Sequence, residues 1–240
     1  MTPATLIRSS PRNSLGRPHI APFREAGKPV EAPVLCRSRG FATLGPPMAV
    51  RRIRQLGDPV LRTRCQRVAQ TGSAAVRLVA DDLRDTLRAA REKYKMGRAL
   101  AAPQIGAPVR VVVVDVPGTK QRMTMVNPEI TDVGSDDFQV WDDCFCFPNL
   151  LVRVNRAYQI TVGYQDLKGK PHTLQLEGPM AELIQHEIDH LDGILALDRA
   201  AGLDPFAFRT EWEKHHEKSE RWGPARPREG PDIEIGPPSQ

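Results

Sequence analysis

Between Met180 and Leu191 the chain carries Leu183, Ile184, Ile188 and Leu191, interrupted by two histidines, His186 and His190. Gly178 ends what precedes, and Pro179 stands where a first helical residue belongs, so Met180–Leu191 is predicted to be a helix. Residues four apart project from one helical face, which lets both imidazoles reach a single metal ion. Glu187 follows the first histidine, close enough to address a water on that ion without ligating it. An apolar helix that also holds a metal has to sit inside the molecule, with the other elements packed around it. That requirement narrows the fold more than any other feature.

The surrounding elements are legible in part. Ser73 caps a helix whose apolar positions Val76, Val79, Leu83 and Leu87 share a face as far as about Tyr94. Gly97 opens a small-residue loop that closes at Gln104. Val109–Val114 is a buried strand by length and β-branching, and Asn127-Pro128 starts another extended piece. Val152–Val154 and Gln159–Tyr164 read as strands, the second closed by a turn at Asp166–Gly169. Asp204-Pro205 repeats the helix-start signal for a last, charged helix through Trp222. Strands in the middle and helices towards the ends indicate an α+β protein, with small mixed or antiparallel sheets around a central metal-binding helix and a charged C-terminal helix.

Charge and composition exclude several classes. The chain carries 34 basic and 29 acidic residues, and residues 1–47 hold seven of the former and two of the latter. The formal +5 therefore belongs to that segment, and residues 48–240 are neutral. A nucleic-acid-binding reading loses its support. No apolar run approaches the ~18 residues of a membrane span, and four cysteines are too few for a disulfide scaffold. Residues 1–47, with eight prolines, read as a disordered leader or transit-like segment; an upstream start before Met48 is the alternative. Residues 223–240 read as a flexible Pro/Gly-rich tail, which leaves 48–222 as one domain. The expected location is the cytoplasm, or a mitochondrion or other organelle if residues 1–47 are a transit peptide.

The third ligand is open on spacing alone. Gly193 fits one metalloprotease pattern, but Ala196 stands where that pattern needs a third histidine. Glu211 or Glu213 would complete an HExxH-type metallopeptidase, yet both lie in a strongly charged segment. Cys144-Phe145-Cys146 lies in the apolar stretch Trp141–Pro148, and in extended backbone either thiol would face the metal. A thiolate with two imidazoles suits Fe(II), Zn(II), Ni(II) or Co(II).

Three motifs in order carry a resemblance. Gly97–Gln104 is similar to a glycine–x–glycine–x–Ala–Ala–x–Gln loop, Asp142–Pro148 to Glu–Gly–Cys–x–Ser with an apolar residue and Pro, and Gln185–His190 to Gln–His–Glu–x–Asp–His without a gap. Gly57-Asp58-Pro59-Val60-Leu61-Arg62 resembles the same family's opening. Over Val50 to about Arg199 the chain resembles the peptide deformylases. The resemblance implies hydrolysis of the N-formyl group from formylmethionyl nascent peptides, releasing formate, with one divalent metal ion, Fe(II) ahead of Zn(II), Ni(II) and Co(II). It implies Cys144, His186 and His190 as ligands and Glu187 as general base and acid. Gln104 and the Phe145 backbone N–H would be oxyanion donors, and Gly97, Ala99, Leu100 and Leu183 would bound the substrate; Leu100, Leu183 and Ile184 would either line a pocket for the methionine side chain or pack in the core. Partners would be formylated nascent peptides and a ribosome surface; a non-catalytic formyl-peptide-binding relative is the rival. Ala99 replaces the loop's second glycine, and Cys146 replaces a serine. Asp142-Asp143 replace Glu-Gly, with strain expected at Asp143 if that position needs a positive φ. Arg153 and Arg156 flank the second motif, where they would either meet a peptide carboxylate or chain or, as expected of strand-surface arginines, be solvated; His172, His215 and His216 are expected at the surface.

Overall fold

A computed structural model describes residues 50–217. The leader 1–47 and the tail 223–240 lie outside the described residues, as does the end of the expected last helix. Helix α1 spans Ala74–Tyr94, begun by Ser73, whose hydroxyl accepts from Val76 N at 3.4 Å. Strands β1 (Ala99–Ala101), β2 (Val111–Asp115) and β3 (Arg122–Val133) follow. Next come β4 (Asp137–Asp143), β5 (Leu150–Ala157), β6 (Gln159–Gln165) and β7 (Pro171–Glu177). Helix α2 (Gly178–Leu191), β8 (Phe206–Phe208) and α3 (Arg209–His215) complete the order.

The strands form a five-stranded sheet, β1-β2-β3-β6-β7, and a three-stranded sheet, β4-β5-β8. Every strand pair in them is antiparallel; the parallel element is an isolated bridge, Gln66 to Val109. Period-two alternation puts the larger sheet between the two long helices. Val112 and Val114 face one way with Ala99, Ala101, Met125 and Val162, and α2 covers them with Met180, Ala181, Leu183, Ile184, Ile188 and Leu191. Val111, Val113, Leu100 and Val126 face the other way, onto Val76, Ala80, Leu83 and Leu87 of α1. Each fully buried Leu, Ile or Val contributes roughly 1.5–3 kcal/mol, so α2 is held by its apolar sides. The smaller sheet adds Val140, Val152 and Val154, packed with Leu61, Leu195, Cys144 and Cys146. The α+β expectation, with a central α2, holds.

Several elements differ from expectation for local reasons. The Gly97–Gln104 loop contains β1 and a 3-10 turn at Ala102–Ile105. Asn127-Pro128 lies inside β3: Asn127 takes a left-handed φ of 54°, and the pairing with β6 shifts register there. Asp204-Pro205 does not start a helix. Asp204 has φ 53°, Pro205 O accepts from Arg153 N at 2.7 Å, and the chain then pairs with β5 as β8. The last helix begins at Arg209. Asp143 is an ordinary β4 residue outside the positive-φ set, so the expected strain is absent.

Candidate metal centre

Helix α2 and the turn after β4 build the centre together. Cys144 Sγ and one ring nitrogen each of His186 and His190 lie within 4.8 Å of one another, all three residues buried. Cys144 Sγ is 3.2 Å from His190 Nε2. Cys144-Phe145-Cys146 is a turn, not extended backbone, so the two thiols are not equivalent. Cys144 alone of the pair joins the histidines among the described residues. Cys146 packs beside it and donates its backbone N–H to Cys144 Sγ at 3.4 Å. Glu211 stands exposed in α3, bonded to Lys214 at 2.8 Å, and Glu213 is exposed beside it; neither belongs to the cluster. That removes the ligand set a metallopeptidase reading needs.

A buried ionic chain orients the first histidine. His186 Nδ1 lies 3.0 and 3.1 Å from the two oxygens of Asp142 and donates to that carboxylate. Its Nε2 is thereby left as the ring atom able to ligate a metal, since the hydrogen bond at one ring nitrogen selects the tautomer. Asp142 also accepts from Arg156 Nη2 at 2.9 Å, and Arg156 Nη1 donates to Asp189. Asp189 is gripped in turn by Arg199 through two bonds of 2.6 and 2.7 Å. Arg156 is 2 % exposed, so the expectation of a solvated strand arginine is overturned: paired carboxylates on both sides make its burial tolerable. Arg153 is the surface one, donating to Gln139 at 2.9 Å.

The donor set fits a cation. Burial and the neighbouring Cys146 push the Cys144 thiol well up, and a metal bound there would displace its proton. Burial would lower His186, but Asp142 overrides it and lifts the ring to about 9. His190 is held well below its ordinary value by burial and by His186. Two buried atoms, His190 Nδ1 and Glu187 Oε2, have no hydrogen-bond partner among the described residues. A soft thiolate, two imidazoles and an unpartnered carboxylate beside them suit one divalent transition metal.

Glu187, 3 % exposed, is pushed up to about 7, chiefly by burial, which is the range of a group that both takes and gives a proton. Gln104 is fixed by its own turn: Oε1 accepts from Ala101 N at 2.7 Å. Its Nε2 therefore points towards the thiols, 3.6 Å from Cys144 Sγ and 3.7 Å from Cys146 Sγ. Phe145 is anchored through its carbonyl, which accepts from Gln55 Nε2 at 3.1 Å. Gly97, at φ +106°, lies so close to the Phe145 ring that a Cβ would meet Cζ at 2.1 Å. The glycine is required both by its backbone and by this approach.

These groups open onto a cleft of about 460 Å³, whose wall includes Gly97, Ala99, Gln104, Cys144, Phe145, Leu183, His186 and Glu187. Leu100 is absent from that wall. One step along β1 turns it to the opposite face, fully buried against α1. Ile184 likewise packs under the larger sheet. His172 stacks on Tyr164 and His215 is exposed, whereas His216 stacks on Trp141 at the cleft rim, 5.7 Å between ring centroids. Sequence reasoning missed this rim and the orienting role of Asp142. A carboxylate two residues before the candidate cysteine ligand was the available signal for the latter.

Fold and site thus define a metal hydrolase in which a cysteine between two small sheets meets a two-histidine helix. The family model for polypeptide deformylases matches residues 50–206. The chain is 42 % identical over 158 residues to the peptide deformylase of Heliobacterium modesticaldum, covering 66 % of this chain and 99 % of that one. Against that of Natranaerobius thermophilus it is 38 % identical over 168 residues, covering 70 % and 100 %. Among solved structures, the Legionella pneumophila peptide deformylase superposes with a TM-score of 0.59 at 33 % identity, covering 72 % and 96 %. That from Synechococcus elongatus, in complex with actinonin, gives 0.58 at 30 % identity, covering 77 % and 92 %. The chain belongs to the peptide deformylase family, metal-dependent hydrolases that remove the N-formyl group from nascent peptides.

Proposed function

We propose that this chain deformylates nascent peptides with Cys144 Sγ, His186 Nε2 and His190 Nε2 as the ligands of one Fe(II) ion. Zn(II), Ni(II) and Co(II) are compatible with the same donors. The observation that supports the reading best is the convergence of one thiol and two imidazoles within 4.8 Å beside the unpartnered Glu187 carboxylate. When bound, the metal polarises the formyl oxygen and brings the pKa of a water towards neutrality. Glu187 takes the proton of the attacking water and passes it to the departing amine nitrogen. Gln104 Nε2 and the Phe145 backbone N–H donate to the oxygen as it gains charge, an effect worth about 3 kcal/mol for one donor in other enzymes. Asp142 holds His186 in the ligating tautomer. Gly97, Ala99 and Leu183 bound the peptide and its first side chain.

The substrates are then formylated nascent chains, met in the cytoplasm near the ribosome surface, or in an organelle if residues 1–47 are a transit peptide. Recombinant protein should release formate from formyl-Met-Ala-Ser, and Glu187→Ala should retain its metal while releasing none. Undiminished formate release by that variant would remove Glu187 from the mechanism.

A further inference from the structure

The cleft contains a charged pair that the deformylation chemistry does not use. Arg98, between the opening glycine of the first motif and β1, donates from Nη2 to Glu182 Oε2 at 2.9 Å and from Nη1 to Pro179 O at 3.2 Å. Both side chains line the cleft together with Leu183, His186 and Glu187. The Glu182 side chain is 2 % exposed and that of Arg98 19 %. An ion pair is thus built into the wall of a small cavity, where an apolar wall would be expected around an aliphatic side chain.

Its position relative to the reacting group follows from helix geometry. Glu182 precedes His186 by four residues, so the two lie on one face of α2 about 6 Å apart. A formyl amide held at His186, Glu187 and Gln104 has its first side chain one carbon away from the nitrogen. A side chain of methionine length running along Leu183 would then be directed towards the part of the cleft wall that Arg98 and Glu182 form. The guanidinium spends one N–H on Pro179 and one on Glu182, and where it meets the cleft it keeps donor capacity for a third partner. An alkyl terminus there strips water from a charged group and returns no hydrogen bond; an acceptor oxygen returns one.

Resting on the deformylase reading, we propose that the Arg98–Glu182 pair sets the side-chain specificity of this site. It favours N-formyl peptides whose first side chain ends in an acceptor oxygen at methionine length, methionine sulfoxide or glutamine, over the aliphatic isostere norleucine. Methionine, with its weakly accepting sulfur, falls between.

The test compares kcat/KM for formyl-Xaa-Ala-Ser peptides with Xaa as methionine, methionine sulfoxide, glutamine and norleucine, using metal-loaded full-length protein. The wild type should process the sulfoxide and glutamine peptides about tenfold or more faster than the norleucine peptide, the scale of one hydrogen bond to a charged donor. The double variant Arg98→Leu/Glu182→Leu should reverse that order. Removing both charges together avoids stranding either one, and apolar replacement of a buried pair is often neutral for stability. If the double variant does not fold, the wild-type series decides alone. Formate release with norleucine equal to or above the two oxygen-bearing side chains overturns the specificity assignment and leaves deformylation standing. Absence of formate from every peptide overturns the deformylase reading and this inference together.

Discussion

Replacing Asp142 by asparagine separates the ionic role of this residue from its shape. In the native protein its carboxylate, with the side chain 3 % exposed, faces Arg156 at 2.9 Å and His186 Nδ1 at 3.0 Å. Arg156 is equally buried and has Asp189 as its other partner, which Arg199 already shares. Asp142→Asn keeps the volume and an acceptor oxygen but leaves Arg156 with a single, shared carboxylate. Removing one partner from a buried pair costs about 3–5 kcal/mol; the remaining Asp189 contact places this variant near 3 kcal/mol. The same change weakens the hydrogen bond that fixes the His186 ring, and losses of this kind lower metal affinity about 10–100-fold. Two measurements check the two effects: urea unfolding of the metal-loaded and chelator-treated proteins, and competition for metal against a chelator of known affinity. The destabilisation should appear in both forms, and the affinity loss should accompany it. Metal affinity within twofold of wild type, despite lost stability, would refute Asp142 as the residue that orients His186.

Three other outcomes follow from local geometry. Gln104→Ala should lower kcat about 100–1000-fold at unchanged metal content, because it removes one preorganised donor; a fall smaller than fivefold would exclude that role. Gly97→Ala should lower activity at least tenfold and destabilise the fold by ~1–3 kcal/mol, since the new methyl meets the Phe145 ring at 2.1 Å on a backbone with φ +106°; wild-type kinetics and unfolding midpoint would contradict the packing described. Burial pushes the Cys65 thiol up to about 11. Alkylation of Cys65 in the native protein should therefore be slow at pH 8 and accelerate as pH approaches 11, read by mass spectrometry of the Cys65 peptide, and rapid complete labelling at pH 8 would sink the point.

How much was legible in the chain depended on whether the deciding interaction was local. Helix α1 announced itself through Ser73 and a one-sided apolar stripe, and α2 through Pro179 and its histidine pair; both lie where expected, within a few residues. Asn127-Pro128 and Asp204-Pro205 carried true local signals, positive φ in each case, but strand partners decided what those signals meant. In β3 the Asn became a register shift within one long strand, and before β8 the Pro became a turn into pairing with β5. Leu100 shows the same limit at the site. Its place in a motif suggested the cleft, and the pleat of β1 turned it into the core. Arg156 could not be read as buried from its neighbours, because its two carboxylate partners lie 14 and 33 residues away. The choice between Cys144 and Cys146 likewise needed the turn after β4, which no alternation pattern encodes.

The ligand set turns on that choice. Cys144→Ser and Cys146→Ser, purified anaerobically in parallel with wild type, should be compared for bound metal per chain together with formate released from formyl-Met-Ala-Ser. The account predicts that Cys144→Ser loses stoichiometric metal and formate release with it, while Cys146→Ser keeps one metal per chain and remains active. Full metal occupancy in Cys144→Ser, with the loss appearing in Cys146→Ser instead, would contradict it.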